Sequence, residues 1–256
     1  MQGHPRFAVL RGMGLALAAA AMLVLSGCNN SPYEQGAAKS NTIYNSFDER
    51  SPRYLDPTAS YSNPESVYTY QIYEPLYAYH YLKRPYQLVP KVAEKVVRPY
   101  YLDKNGQRLP DDAPADQIAQ SVYDIPIKRG IKYQPHPALA VDEKGNYLYH
   151  HLTREQLGDK RSPWDFPVQG TRELVAEDYV YSIKRFFDPR VRTEHLHHFE
   201  NLELLGLAAL RERALRAKTG LDYDRPVPGL RALDRYRFEL RVARSAPRLI
   251  QLFADP

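Results

Sequence analysis

The spacing of hydrophobic and polar positions along the 256-residue chain changes several times, and each spacing predicts an element. Residues 236–242, YRFELRV, alternate most cleanly. Tyr236, Phe238, Leu240 and Val242 fall on one side and Arg237, Glu239 and Arg241 on the other, which predicts a strand with one buried face. Residues 122–133 set Tyr123, Ile125 and Ile127 against Asp124, Pro126 and Lys128. Pro126 has no N–H for a ladder, so it predicts an edge or a bulge. The period lengthens at 175–189, where Ala176, Tyr179, Val180, Ile183 and Phe187 form one apolar stripe. Glu177 and Asp178 sit at the positive end of that helix dipole, Lys184 and Arg185 at the negative end, and Asp188-Pro189 stops it. A third helix is predicted over 199–220, with Gly220 placed for a C-cap. Asn63-Pro64-Glu65 predicts the first helix start, Asn63 capping and Pro64 opening the helix. Val67, Tyr70, Tyr73 or Glu74, and Tyr77 follow at helical spacing until Pro75 intervenes.

Between these elements the breakers carry the reading. Asn105-Gly106 predicts a hairpin closed by a type I′ turn, and "NTIYNSF" (41–47) predicts a short strand. Asp56-Pro57 fixes a corner, because proline locks its own φ and drives its predecessor toward extended geometry. Residues 55–79 therefore run turn, loop, helix, with 58–63 presented at the helix's amino end. This stretch holds more phenols than a core needs, and tyrosine both buries area and offers a polar tip. It is a candidate ligand-facing surface. Proline and tyrosine, at 21 each, favour a strand- and loop-rich α+β fold over a helical bundle.

Charge and the amino terminus add the compartment. Arg6 and Arg11 precede an apolar run from Met13 to Leu25, too short for a stable bilayer span, and small residues follow. Residues 1–27 thus read as a secretory signal. Leu25-Ser26-Gly27-Cys28 resembles the bacterial lipobox, in which the cysteine is acylated and becomes the new amino terminus. Cys28 is the only cysteine, which excludes a disulfide framework and makes it the candidate lipid attachment site. Asn29 stands where aspartate is the usual inner-membrane retention signal in enteric bacteria, so the choice of membrane stays open. Residues 28–40 are small and polar, as a flexible tether should be. Cleavage removes two of the 35 basic residues and none of the 30 acidic ones, taking the net charge from +5 to +3. Basic and acidic residues interleave without a dense basic block, which excludes a nucleic-acid partner.

In chain order, Leu55-Asp56-Pro57, Tyr73-Glu74-Pro75-Leu76, LVPKVAE (88–94), YDIPIKRGIKY (123–133), VAEDYVYSIKRFFDP (175–189) and RALDRYRFELRV (231–242) resemble the front portion of the family 5 extracellular solute-binding proteins. These are peptide and oligopeptide receptors of bacterial ABC importers. The sequence departs from the family pattern by insertions near 98–121 and 141–172, by IKYQPHPAL in place of an Asp-Gly turn, and by its length. The resemblance implies a truncated fold of the periplasmic binding protein type II kind. Residues 41–75 would begin lobe I, residues 76–256 would be most of the inserted smaller subdomain with a partial return to lobe I, and the second lobe would be absent.

The resemblance also implies a site. The loop after LDP lies at the ligand cleft in such receptors, where its backbone pairs with an extended peptide. The matching positions are Tyr61, Ser62 and Asn63, and His195 falls where some members carry an aromatic ligand contact. The helix tyrosines read as packing. The implied function is capture of peptides at the periplasmic face and delivery to ABC permease subunits, with a dipeptide, longer peptide, metal chelate or sugar as possible cargo. No cofactor is implied. A lipid-anchored envelope scaffold that has lost its solute is the second reading. His195, His197, His198 and the pair His150-His151 invite a metal-enzyme reading, but HxHH lacks the ligand spacing of a metal-binding HExxH helix. Nor does the sequence hold a G-x-S-x-G elbow or a glycine-rich phosphate loop, so no residue is assigned to catalysis.

Overall fold

The alternation at 236–242 becomes an inner strand of a four-stranded antiparallel sheet. In the computed structural model, which describes residues 51–255, the strands are β3 (Tyr100–Leu102), β4 (Gln120–Pro126), β5 (Leu230–Asp234) and β6 (Arg237–Val242). They lie in the order β3-β4-β6-β5. A separate two-stranded hairpin pairs β1 (Tyr77–Tyr79) with β2 (Leu88–Pro90). With five α-helices among the described residues, the short α2 (Arg154–Leu157) included, the fold is mixed α/β. The expected signal (1–27), tether (28–40), Cys28 and strand 41–47 lie outside the described residues.

The face-by-face reading of the sheet holds for the apolar residues. Tyr123, Ile125, Ile127, Phe238, Leu240 and Val242 are all fully buried. Helix α3 (Ala176–Arg185) packs on β5 and β6 and contributes Ala176, Val180 and Ile183, with Phe187 just beyond it. The Tyr179 ring stacks on Phe238 at 5.1 Å, nearly parallel. The polar face of β6 is drier than its charges imply. Glu239 is buried, and its carboxylate accepts from Nε of Arg231 at 2.9 Å and of Arg241 at 2.7 Å.

Four local expectations are corrected. Helix α1 (Asn63–Ile72) is capped by Ser62, one residue before the expected Asn63. Its expected apolar stripe faces outward: Val67, Tyr70 and Tyr73 are exposed, whereas Glu65 and Thr69 are buried. On this outward face the Tyr70 hydroxyl donates to the Asp255 carboxylate. The hairpin after β3 forms, but only Gly106 takes a positive φ (+78°), so the turn is not type I′. Instead one Asp103 carboxylate oxygen accepts from the N–H groups of Asn105 and Gln107, both at 2.8 Å, and winds the turn itself. Pro126 ends an inner strand rather than lying on an edge; its carbonyl accepts from Glu94 N–H at 2.9 Å.

The expected helix over 199–220 is two helices, α4 (Leu196–Glu200) and α5 (Leu207–Ala217). Between them the chain leaves helical geometry so that Leu205 N–H can donate to Arg241 C=O at 3.1 Å and Ala243 N–H to Glu203 C=O at 3.1 Å. Glu203 (φ +56°) and Gly206 (φ +86°) make the exit and re-entry. The helix ends at Lys218, itself left-handed at φ +54°, and not at Gly220. Gly220 has a different use: a Cβ there would strike the Arg190 guanidinium.

Candidate functional site

The site is built around the corner at Asp56. Ala59 and Ser60 donate to the Asp56 carbonyl at 3.0 and 2.8 Å, and Thr58 N–H donates to its carboxylate at 3.1 Å. This folds residues 56–60 tightly back on themselves. The last turn of α3 then clamps the corner. Arg185 donates to both Asp56 carboxylate oxygens, at 3.0 and 2.5 Å, and to Thr58 Oγ1 at 3.2 Å. The bidentate geometry fixes direction as well as distance. Arg185 and its hydrogen bonds hold the Asp56 carboxyl below the usual aspartate range.

Glu65 holds the other end of the loop. Its carboxylate accepts from the backbone N–H groups of Tyr61 (2.8 Å), Ser62 (2.9 Å) and Arg53 (3.2 Å). The N–H groups of Ser62 and Tyr61 hold this carboxyl at about 2, against the opposing effect of burial. Third, His195 reaches in from the start of α4, its Nε2 lying 2.7 Å from the Ser60 carbonyl oxygen. The same ring stands edge-on between Tyr61 (5.9 Å) and Phe186 (6.2 Å).

Tyr61, Ser62, Asn63 and His195 are thus brought to one place, with unequal freedom. The Tyr61 side chain is 66% exposed, Asn63 is exposed, and Ser62 is half-buried. Backbone N–H groups at 61 and 62 are already occupied by Glu65, so the loop's offer to a ligand is mainly one of acceptors. Among the described residues, the carbonyls of Ala59 and Tyr61 accept no hydrogen bond. The loop walls an open cavity of about 330 Å³ with Arg53, Tyr54, Arg192 and Glu194 around it. The side chains of Arg53, Arg192 and Glu194 make no ion pair among the described residues. The arrangement offers cations for a carboxylate, an anion for an amine, and carbonyls for an extended backbone.

Sequence reasoning missed Arg53, Arg192 and Glu194, and treated Asp56 and Glu65 as a turn residue and a dipole acid. Glu65 had a local signal: Ser62-x-x-Glu65 has capping-box spacing. Arg185 with Asp56 had none, since the partners lie 129 residues apart. The histidines form no metal site among the described residues. His197 and His198 pack at 3.9 Å, and burial with the neighbouring His197 and His195 presses the His198 imidazole below its ordinary value.

No family model matches the chain, and no curated protein matches it in sequence. Solved structures do match. The Escherichia coli murein tripeptide binding protein MppA aligns at TM-score 0.45 and 14% identity, over 80% of this chain and 27% of that one. OppA of Haemophilus influenzae, solved with the peptide RPPGFSPFR, aligns at 0.45 and 16%, over 82% of this chain and 30% of that one. OppA of Burkholderia pseudomallei aligns at 0.43 and 16%, over 79% and 27%. The chain spans less than a third of the length of each. At these scores and identities the likeness is one of partial chain path, and what the site can do rests on its residues.

Proposed function

We propose that this protein is part of a lipid-anchored receptor that captures peptides at the periplasmic face of the envelope and passes them to an ABC permease without chemical change. The observation that carries the reading is the clamped loop at 56–62. Three separate side chains, Arg185, Glu65 and His195, hold a loop whose Ala59, Tyr61 and Ser62 line an open, charge-lined cavity, with Tyr61 exposed and the Ala59 and Tyr61 carbonyls unbonded among the described residues. Preorganisation of this kind reduces the ordering cost of binding. An extended peptide brings N–H donors to the free carbonyls, and its ends bring one charge of each sign to Arg192 or Arg53 and to Glu194. The ordered motifs from Leu55 to Val242 support the same reading. Cys28 would carry the lipid.

Calorimetric titration of tri- to nonapeptides into the full-length protein tests it. Saturable binding without hydrolysis is expected, and Tyr61→Ala should weaken it about 3- to 10-fold, the loss of one aromatic contact. Turnover of the peptide, or binding indifferent to Tyr61, Arg192 and Glu194 alike, would overturn the reading.

A further inference from the structure

The β1–β2 hairpin ends in a tip that the peptide site leaves unexplained. Tyr81, Leu82 and Tyr86 are 89%, 77% and 69% exposed, and Tyr79 joins them at its base. Large apolar groups this bare cost solvation unless something covers them. The tip is ordered by its own bonds. His80 N–H donates to Gln87 C=O at 2.7 Å, and the N–H groups of Leu82 and Lys83 donate to His80 Nδ1 at 3.2 and 3.3 Å. Arg84 donates to the carbonyls of Tyr81 and Lys83, and its guanidinium lies 4.4 Å from the centre of the Tyr86 ring. The rings of Tyr79 and Tyr86 meet edge to face at 6.0 Å. Below the tip, Leu76 and Tyr77 are buried, so the hairpin stands on a fixed base.

Its charge decides what it fits. From Pro75 to Ala93 there is no acidic residue, while Lys83 and Arg84 occupy the tip itself. Lys91, further down, is paired with Glu74 at 3.6 Å. Amphipathic phenols with one bare leucine and two cations match the bilayer interface, where aromatic rings settle at headgroup level and cations are drawn to anionic lipid. We infer that the hairpin tip at 79–86 is a membrane-contact element that lays Tyr81 and Leu82 into an anionic lipid surface, with Lys83 and Arg84 on its phosphates. The inference concerns a face independent of the peptide cavity.

The test must separate the tip from any lipid anchor, so it reads depth rather than retention. The full chain carrying Trp164→Phe and Tyr81→Trp has its sole tryptophan at the tip, because Trp164 is the only native one. In mixed phosphatidylglycerol–phosphatidylcholine vesicles with bromine high on the acyl chains, tip emission should be strongly quenched. Quenching should fall several-fold in pure phosphatidylcholine, in high salt, and on adding Lys83→Glu, whose side chain makes none of the bonds that order the tip. Emission unquenched in the acidic vesicles overturns the inference, as does quenching unchanged by Lys83→Glu and Arg84→Glu together. Tip burial by a protein partner without bromine quenching would also overturn it. None of these readings depends on peptide binding.

Discussion

Glu65 shows how much one side chain can determine. It sits three residues after the cap of α1 and is buried, yet the three donors it serves are backbone N–H groups, two in the loop at Tyr61 and Ser62 and one ahead of it at Arg53. Glu65→Ala would leave the part-buried N–H groups of Tyr61, Ser62 and Arg53 without their acceptor, a loss of about 1–3 kcal/mol. Its pH dependence has a definite sign. The carboxyl is held at about 2 against an ordinary value of 4.5, so the folded protein favours the charged form. The stabilisation is therefore fully present above 4.5 and is lost as pH falls from there toward 2. Denaturant titrations across that window should show wild type and Glu65→Gln converging as the solution is acidified. A gap that stays constant with pH would contradict the role assigned to the carboxylate. At this scale the sequence was partly legible. Tyr61 and His195 were picked out by position in a motif series, and the structure sets their rings together. The acceptor role of Glu65 was readable from spacing, whereas the charges of Arg192 and Glu194 carried no pattern at all.

Elements were legible where periodicity met burial. The stripe of α3 and the alternation of β6 both face the same core, and Phe238 lies at their junction, fully buried beneath the Tyr179 ring. Phe238→Ala should cost about 3–5 kcal/mol, because the void sits between a helix and an inner strand that cannot both relax into it. Equilibrium unfolding gives the value directly; a loss under about 1 kcal/mol would mean that this junction is not the core. The periodic reading failed where backbone demands outweighed it. Leu204 to Leu207 read as continuous helix, but the last residues of β6 extend past the start of β5 and need partners there, and residues 203–205 supply them. Gly206 makes that detour possible: its φ is +86°, and a Cβ would lie 2.8 Å from Pro228 Cδ. Gly206→Ala should thus destabilise the fold by about 1 kcal/mol or more, through left-handed strain and the clash together. Thermal melts beside a Gly145→Ala control separate the two costs, since that glycine has a positive φ but open space around it. The α1 stripe failed for another reason. Tyrosine can occupy a helical repeat on either face, and here the buried face was the polar one that carries the cap.

At the scale of the whole molecule, the loop is tied to distant elements. Asp56 bonds Arg185 at the end of α3, and Ser60 bonds His195 at the start of α4, so two separate parts of the described fold set the position of one ligand-facing loop. This separates stability from affinity. The Asp56 and Arg185 side chains are 38% and 27% exposed, so solvent screens the pair and its worth to folding is discounted accordingly. Arg185→Ala should then lower unfolding free energy by only about 1 kcal/mol. Peptide affinity should suffer more, because the freed loop samples conformations in which Ala59 and Tyr61 no longer line the cavity together, and binding must reorder them. Arg185→Lys should not restore it, since a single ammonium cannot make the two-pronged contact with Asp56. His195→Phe offers the complementary change, keeping the ring beside Tyr61 while deleting the bond to Ser60. If the loop acts as a preorganised unit, each variant should weaken peptide binding and the double variant should weaken it by less than the product of the two, because a loop already released has little further order to lose. Calorimetry on the full-length protein, paired with denaturation of the same samples, supplies both numbers. Affinity losses that merely track the stability losses would show that the clamps serve the fold and not the site.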